Sequence, residues 1–157
     1  SLENQAGYEY ALAFPGVENL TEKAILSDFS AVTTGNGSYK KSTYWVSYQM
    51  GKLLMAGEIA EKDSDDAVAG NDVDGFLIMG NYSVSDAVGL TLRYSEQEIS
   101  GPTSTALSYE GSKFTVSPSY VFNDNFSGLV EYSKYDEEGP TAIDINDLFA
   151  VELIYTF

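Results

Sequence analysis

Apolar residues recur at every second position along most of this chain, and a helical spacing is nearly absent. At the C-terminus Phe149, Val151, Leu153, Tyr155 and Phe157 alternate with Ala150, Glu152, Ile154 and Thr156, which is the pattern of a strand with one apolar side. The same alternation predicts strands at about 42–50, 53–62, 73–84, 88–98, 112–122, 126–135 and 147–157, with another at 8–14 and a weaker one at 23–32. The connections alternate too. Gly51-Lys52, Ser85-Asp86 and Asn123-Asp124-Asn125 have tight-turn chemistry, whereas 63–72, 99–111 and 136–146 are long. The pattern predicts an all-β, antiparallel up-and-down sheet whose short turns lie at one end and long loops at the other, forming one domain over 1–157.

A soluble sandwich alternates in the same way, so the aromatic positions decide which face meets water. Sixteen of the 21 aromatic residues fall on the apolar face. Phe14, Tyr48, Tyr82, Phe122, Phe126 and Phe157 lie near short turns. Tyr8, Tyr44, Phe76, Tyr94, Phe114, Tyr132 and Phe149 lie towards long loops, and small or aliphatic residues such as Val46, Ile78, Leu90, Val130 and Val151 stand between. Two aromatic rows around an aliphatic band match a bilayer, because amphipathic rings favour the headgroup levels. The eight steps from Phe149 to Phe157, at about 3.3 Å each and a tilt of about 40°, span roughly 20 Å of the membrane normal. The other face reads Glu9, Ser47, Gln49, Glu58, Asn81, Thr91, Arg93, Ser117, Ser119, Glu131, Ser133 and Glu152, a poor core and a good wet surface. The prediction is a transmembrane β-barrel, since closure satisfies every strand edge.

These features resemble the bacterial outer-membrane β-barrels, in particular the C-terminal part of porin-like proteins. The resemblance rests on the alternation of short turns and long loops and on the final strand Ala150-Val-Glu-Leu-Ile-Tyr-Thr-Phe157, although Glu152 stands where that family often has Gly. It implies that Leu153, Tyr155 and Phe157 are the signal read by the outer-membrane assembly machinery, and that the long loops are extracellular. The expected location is the bacterial outer membrane, with its lipid as a partner; association between copies stays open. Whether the chain holds eight or nine strands turns on 15–41. A compact turn at Pro15-Gly16-Val17-Glu18-Asn19 gives nine and implies a piece of a larger barrel, whereas one long loop gives a complete eight-stranded barrel. The start at Ser1, with no Met and no basic-then-apolar leader, reads as a processed protein or part of a longer one. The reading favours nine strands.

Charge and composition narrow the function. Eight Lys and Arg against 24 Asp and Glu give a formal charge of −16, which repels phosphate backbones and argues against nucleic acid as a partner. Without Cys or His there is no disulfide, thiolate zinc site or His-dependent triad; no carboxylate pair forms a defined motif, so an enzyme is not expected and no cofactor is called for. Pore-lining candidates are Glu9, Gln49, Glu58, Asn81, Arg93, Ser117, Glu131 and Glu152, whose carboxylates would weakly favour cations. Asp63, Asp65, Asp66, Asp72 and Asp74 suit hard cations in type but lack the Gly and terminal Glu of an EF-hand, so no metal site is assigned. Trp45 on the polar face reads as packing filler more readily than as a sugar platform, and Pro118 in mid-strand predicts a bulge or a shifted register there. The function expected is a passive channel for small polar solutes or ions. The alternatives are a small non-conducting barrel with a structural or adhesion role, and a soluble secreted carbohydrate-binding β-sandwich.

Overall fold

Period-two sequence becomes strand wherever a turn can return the chain, and nine strands result among the described residues. A computed structural model of the protein describes residues 5–13, 16–31, 38–65, 71–101, 108–139 and 147–157. The strands are β1 (Gln5–Ala13), β2 (Leu20–Ala31), β3 (Tyr39–Met50), β4 (Leu53–Ser64), β5 (Asp72–Ser83), β6 (Val88–Ser100), β7 (Tyr109–Asn123), β8 (Phe126–Glu138) and β9 (Leu148–Tyr155). They form one sheet in sequence order, each antiparallel to the next. Among the described residues no ladder joins β1 to β9, so the sheet is open.

The count is nine because β1 and β2 are joined by a compact turn. Asn19 adopts a left-handed φ of 64°, which Asn tolerates better than most residues, and Leu20 N–H donates to Val17 O at 3.2 Å. The long-loop alternative for 15–41 is thereby excluded, since 20–31 is strand. Between β3 and β4 Gly51 takes φ 56°, which a Gly accepts without a Cβ penalty.

The strands run further towards the long loops than hydrophobicity alone predicts. β4 continues through Asp63, β5 begins at Asp72, β6 continues through Ile99 and β8 through Asp136, Glu137 and Glu138. These residues, read from the sequence as loop, are paired in the ladder. Backbone pairing continues past the apolar stretch because it depends on a partner strand and not on side-chain burial.

Pairing fixes the faces. Directly opposed residues share a side, and the fifteen described aromatics read as one apolar face do lie on one side; Phe14 lies outside the described residues. The apolar side is open to its surroundings, with Ile78 56% and Val151 61% exposed, while small hydroxyls fill the tightest positions of the polar side, where Ser133 is 0% and Thr115 2% exposed. Pro118 faces Leu90 in an unbroken register with β6, and the register shift of β7 against β8 falls later, between Val121 and Asn123. The ladder to β8 lacks the pairs at 117 and 118, as expected where a proline has no N–H to donate. Among the described residues no helix is long and apolar enough to cross a membrane, which says nothing about crossing by strands.

Candidate functional site

The polar side of the sheet carries the candidate site. Glu9, Gln49, Glu58, Asn81, Arg93, Ser117, Glu131 and Glu152 all lie on it, spread over β1 and β3–β9. Several are held by neighbours. Ser27 Oγ donates to Glu9 Oε2 at 3.2 Å, Gln49 Nε2 to Gly51 O at 2.7 Å and Asn81 Nδ2 to Thr91 Oγ1 at 2.7 Å. Glu131 is the centre of a larger network. Arg93 on β6 and Lys113 on β7 each reach its Oε1 at 3.6 Å, and Ser133 Oγ donates to the same oxygen at 3.0 Å. With its proton given to Glu131, Ser133 Oγ accepts from Thr115 Oγ1 at 2.9 Å, so the donors run Thr115 to Ser133 to Glu131.

The candidates drawn from the alternation are four acids and one base on this wall, and the ladder places further bases there. Lys23, Lys41, Lys62 and Lys113 join Arg93 on the polar side, and Glu137 joins Glu9, Glu58, Glu131 and Glu152. Five bases face five acids, so the described wall is balanced. The aromatics missing from the apolar face are here as well: Phe29, Tyr39, Trp45, Tyr109 and Tyr135. Lys41 and Lys62 lie over the Tyr39 ring at 5.3 and 5.6 Å, and Lys113 lies over Tyr135 at 5.1 Å. A trough of about 670 Å³ near the long-loop end is lined by Lys41, Lys62, Lys113, Gln97, Tyr109 and Tyr135, among others. Ala60, Gly75 and Gly111 also line it, and their lack of side-chain bulk leaves it open. The signal for these bases was the same alternation, since Lys23, Lys62 and Lys113 fall within the strands it predicts and Lys41 one residue before 42–50.

Acids concentrate on the opposite side instead, beyond the aromatic row. Glu61, Asp74, Glu98, Glu110 and Glu138 are directly opposed, pair by pair, across β4 to β8. The hydrogen bond with Glu96 and the charges of Glu96, Glu98 and Glu138 hold the Glu110 carboxyl above the ordinary glutamate range. Asp63 and Asp72 lie on this side too, and Asp72 Oδ1 accepts from Ser64 N–H at 2.8 Å. Asp65 follows β4, while Asp66 lies outside the described residues. Among the described residues no group of three His, Cys, Asp or Glu could hold a metal ion. At the C-terminus Leu153, Tyr155 and Phe157 are strongly exposed on the apolar side, with the Tyr155 and Phe157 rings 6.3 Å apart.

No protein-family model matches the sequence, and no curated protein matches it. Solved structures do. Outer-membrane OmpT of Vibrio cholerae superposes with a TM-score of 0.66 at 19% identity over 86% of this chain. A loop L8 deletion mutant of OmpT superposes with a TM-score of 0.68 at 20% identity over 96% of it. The fold is that of a bacterial outer-membrane β-barrel. The chain spans about half the length of the OmpT structures it matches, 47% and 53% respectively. In barrels of this kind one side of every strand faces lipid and the other the lumen.

Proposed function

We propose that this chain forms part of the wall of a passive channel in the bacterial outer membrane, through which small polar solutes and ions diffuse down their gradients. The observation that carries the reading is the continuity of the polar side. From β1 to β9 every strand contributes charged, amide or hydroxyl groups to it, among apolar residues such as Leu77 and Met79, while the opposite side carries most of the exposed aromatic and aliphatic residues. Such a wall suits water and hydrated solutes on one side and hydrocarbon on the other. Balanced charge on the wall removes the ground for the cation preference expected from its acids alone, so discrimination by charge is local. Residues Glu9, Gln49, Glu58, Asn81, Arg93, Ser117, Glu131 and Glu152 line the lumen in this reading. Leu153, Tyr155 and Phe157 serve as the assembly signal, and outer-membrane lipid covers the apolar side. Edge strands in a bilayer need partners, so β1 and β9 are paired in the working barrel by strands that complete the wall.

The test is reconstitution of the protein in planar bilayers. Stepwise, ohmic conductance in potassium chloride is the expected result, and a folded, membrane-inserted protein that passes no current would leave a structural barrel instead. A protein that is folded and monomeric in buffer without detergent would contradict the membrane reading altogether.

A further inference from the structure

We infer that the long-loop end of the polar wall holds a binding station for small organic or inorganic anions, seated against the Lys41–Lys62 pair. The inference rests on the reading of this side as the lumen wall and names the class of solute it retains.

Lys41 on β3 and Lys62 on β4 are directly opposed in the ladder, on the same side of the sheet. Two like charges so placed repel each other unless an anion lies between them. Among the described residues neither ammonium has a carboxylate partner; Lys62 Nζ donates to Asn71 O at 3.2 Å, and both lie over the Tyr39 ring. That ring is itself fixed by stacking on Phe29, with centroids 4.9 Å apart. Cation–π contact and the stacked ring hold the pair in place without neutralising it, so the ordering cost of an anion contact is met in advance.

The space beside the pair fits a small ligand. The trough of about 670 Å³ lies within the range of small-molecule sites, and Thr43 and Gln97 add neutral polar groups for orientation. Lys113 stands at the far side, already engaged by Glu131. Glu58 and Glu137 on the same side of the sheet, and Glu61 and Glu96 whose ladder positions belong to the opposite side, also line the trough, so it is not uniformly basic. The anion is therefore drawn to the Lys41–Lys62 end. Carboxylates and phosphates both suit such a pair, and separate probes distinguish them.

The experiment uses the full chain refolded in detergent, with citrate and inorganic phosphate as probes and glucose as the neutral control. Trp45, the chain's only tryptophan, lies on the same side of β3 as Lys41 and reports binding by fluorescence. A saturable change with citrate, phosphate or both is expected, the responding probe fixing the chemistry, and none with glucose. The double variant K41Q/K62Q should bind at least roughly tenfold more weakly, K62R should bind like the parent, and K134Q, on the opposite side, should change nothing. Heat-modifiable mobility establishes that each variant folds. Equal affinity in K41Q/K62Q and the parent, or no response to either anion, overturns the station. Conductance measured on the same preparations keeps the two ideas apart. Anion binding without current supports the station and sinks the channel, whereas current without anion binding does the reverse.

Discussion

Glu131 ties three strands together through single atoms. Arg93, Lys113 and Ser133 converge on it, and Thr115 stands behind Ser133. The ion pairs are long and about a quarter to a third exposed, so their worth to stability is small, about 0–1 kcal/mol. In the proposed channel their worth is larger, because E131Q leaves the Arg93 guanidinium and the Lys113 ammonium without their anion. In a salt gradient E131Q should shift the reversal potential towards anions and R93Q towards cations; shifts of the same sign would refute this role. Ser133, fully buried, belongs to packing instead, and S133A should cost about 1 kcal/mol in urea unfolding because Thr115 loses its acceptor. Much of this was legible in the sequence. Arg93, Glu131, Ser133 and Thr115 all have the polar parity, and Lys113 shares it. What the alternation could not give was convergence, since Arg93, Lys113 and Glu131 meet only through the register of three separate strands.

Elements were more legible where apolar runs end at turns than where charged strands end at loops. The turns at 51–52, 85–86 and 123–125 carry Gly, Asp and Asn, whose backbone and side-chain preferences are local. The outer extensions of β4 to β8 carry acids that sequence reasoning assigns to loops, although pairing holds them in strands. The price is a row of like charges, and Glu110 records it. It is directly opposed to Glu98 on one side and Glu138 on the other, and it is hydrogen-bonded with Glu96. Its carboxyl is raised in the folded chain, so the folded state binds more protons than the unfolded one between the ordinary glutamate pKa and the raised value. This contribution to stability is fully present below the ordinary value and is lost as pH rises through the raised one. Amide exchange at the β6–β7 end should therefore slow as pH falls through that window, after correction for intrinsic rates. E110Q should flatten the response, and an unchanged pH dependence in E110Q would locate the titration elsewhere. Pro118 shows a second limit of sequence reasoning. A missing N–H predicts a disturbed ladder, yet the disturbance is two unpaired positions within a kept register, and the bulge sits beyond Val121 where the chain prepares to turn.

At the scale of the molecule, the apolar side explains how an acidic chain can belong in a membrane. Most of the described acids lie on the wall, in the turns or towards the long loops, Glu22 on β2, opposite Val46, being an exception between the aromatic rows, and the middle of the apolar side on β5 is left to Ile78 and Gly80, between Phe76 and Tyr82. Ile78 is 56% exposed and opposes Gly57 and Tyr94. If that surface meets hydrocarbon, the cost of a charge depends on depth, a signature that packing against a protein core would not give. I78R should lower stability in lipid vesicles by about 2–4 kcal/mol, whereas V84R, beyond Tyr82 at the short turn, should cost about 0–1 kcal/mol. Urea unfolding followed by Trp45 fluorescence measures both, since neither substitution touches the polar side. Moving both proteins into detergent micelles of shorter chain length should shrink the I78R penalty by letting the guanidinium reach water, and leave V84R unaffected. Equal penalties at the two positions would mean that no bilayer mid-plane crosses β5 at Ile78, and the assignment of the two sides of the sheet would have to be reversed or abandoned.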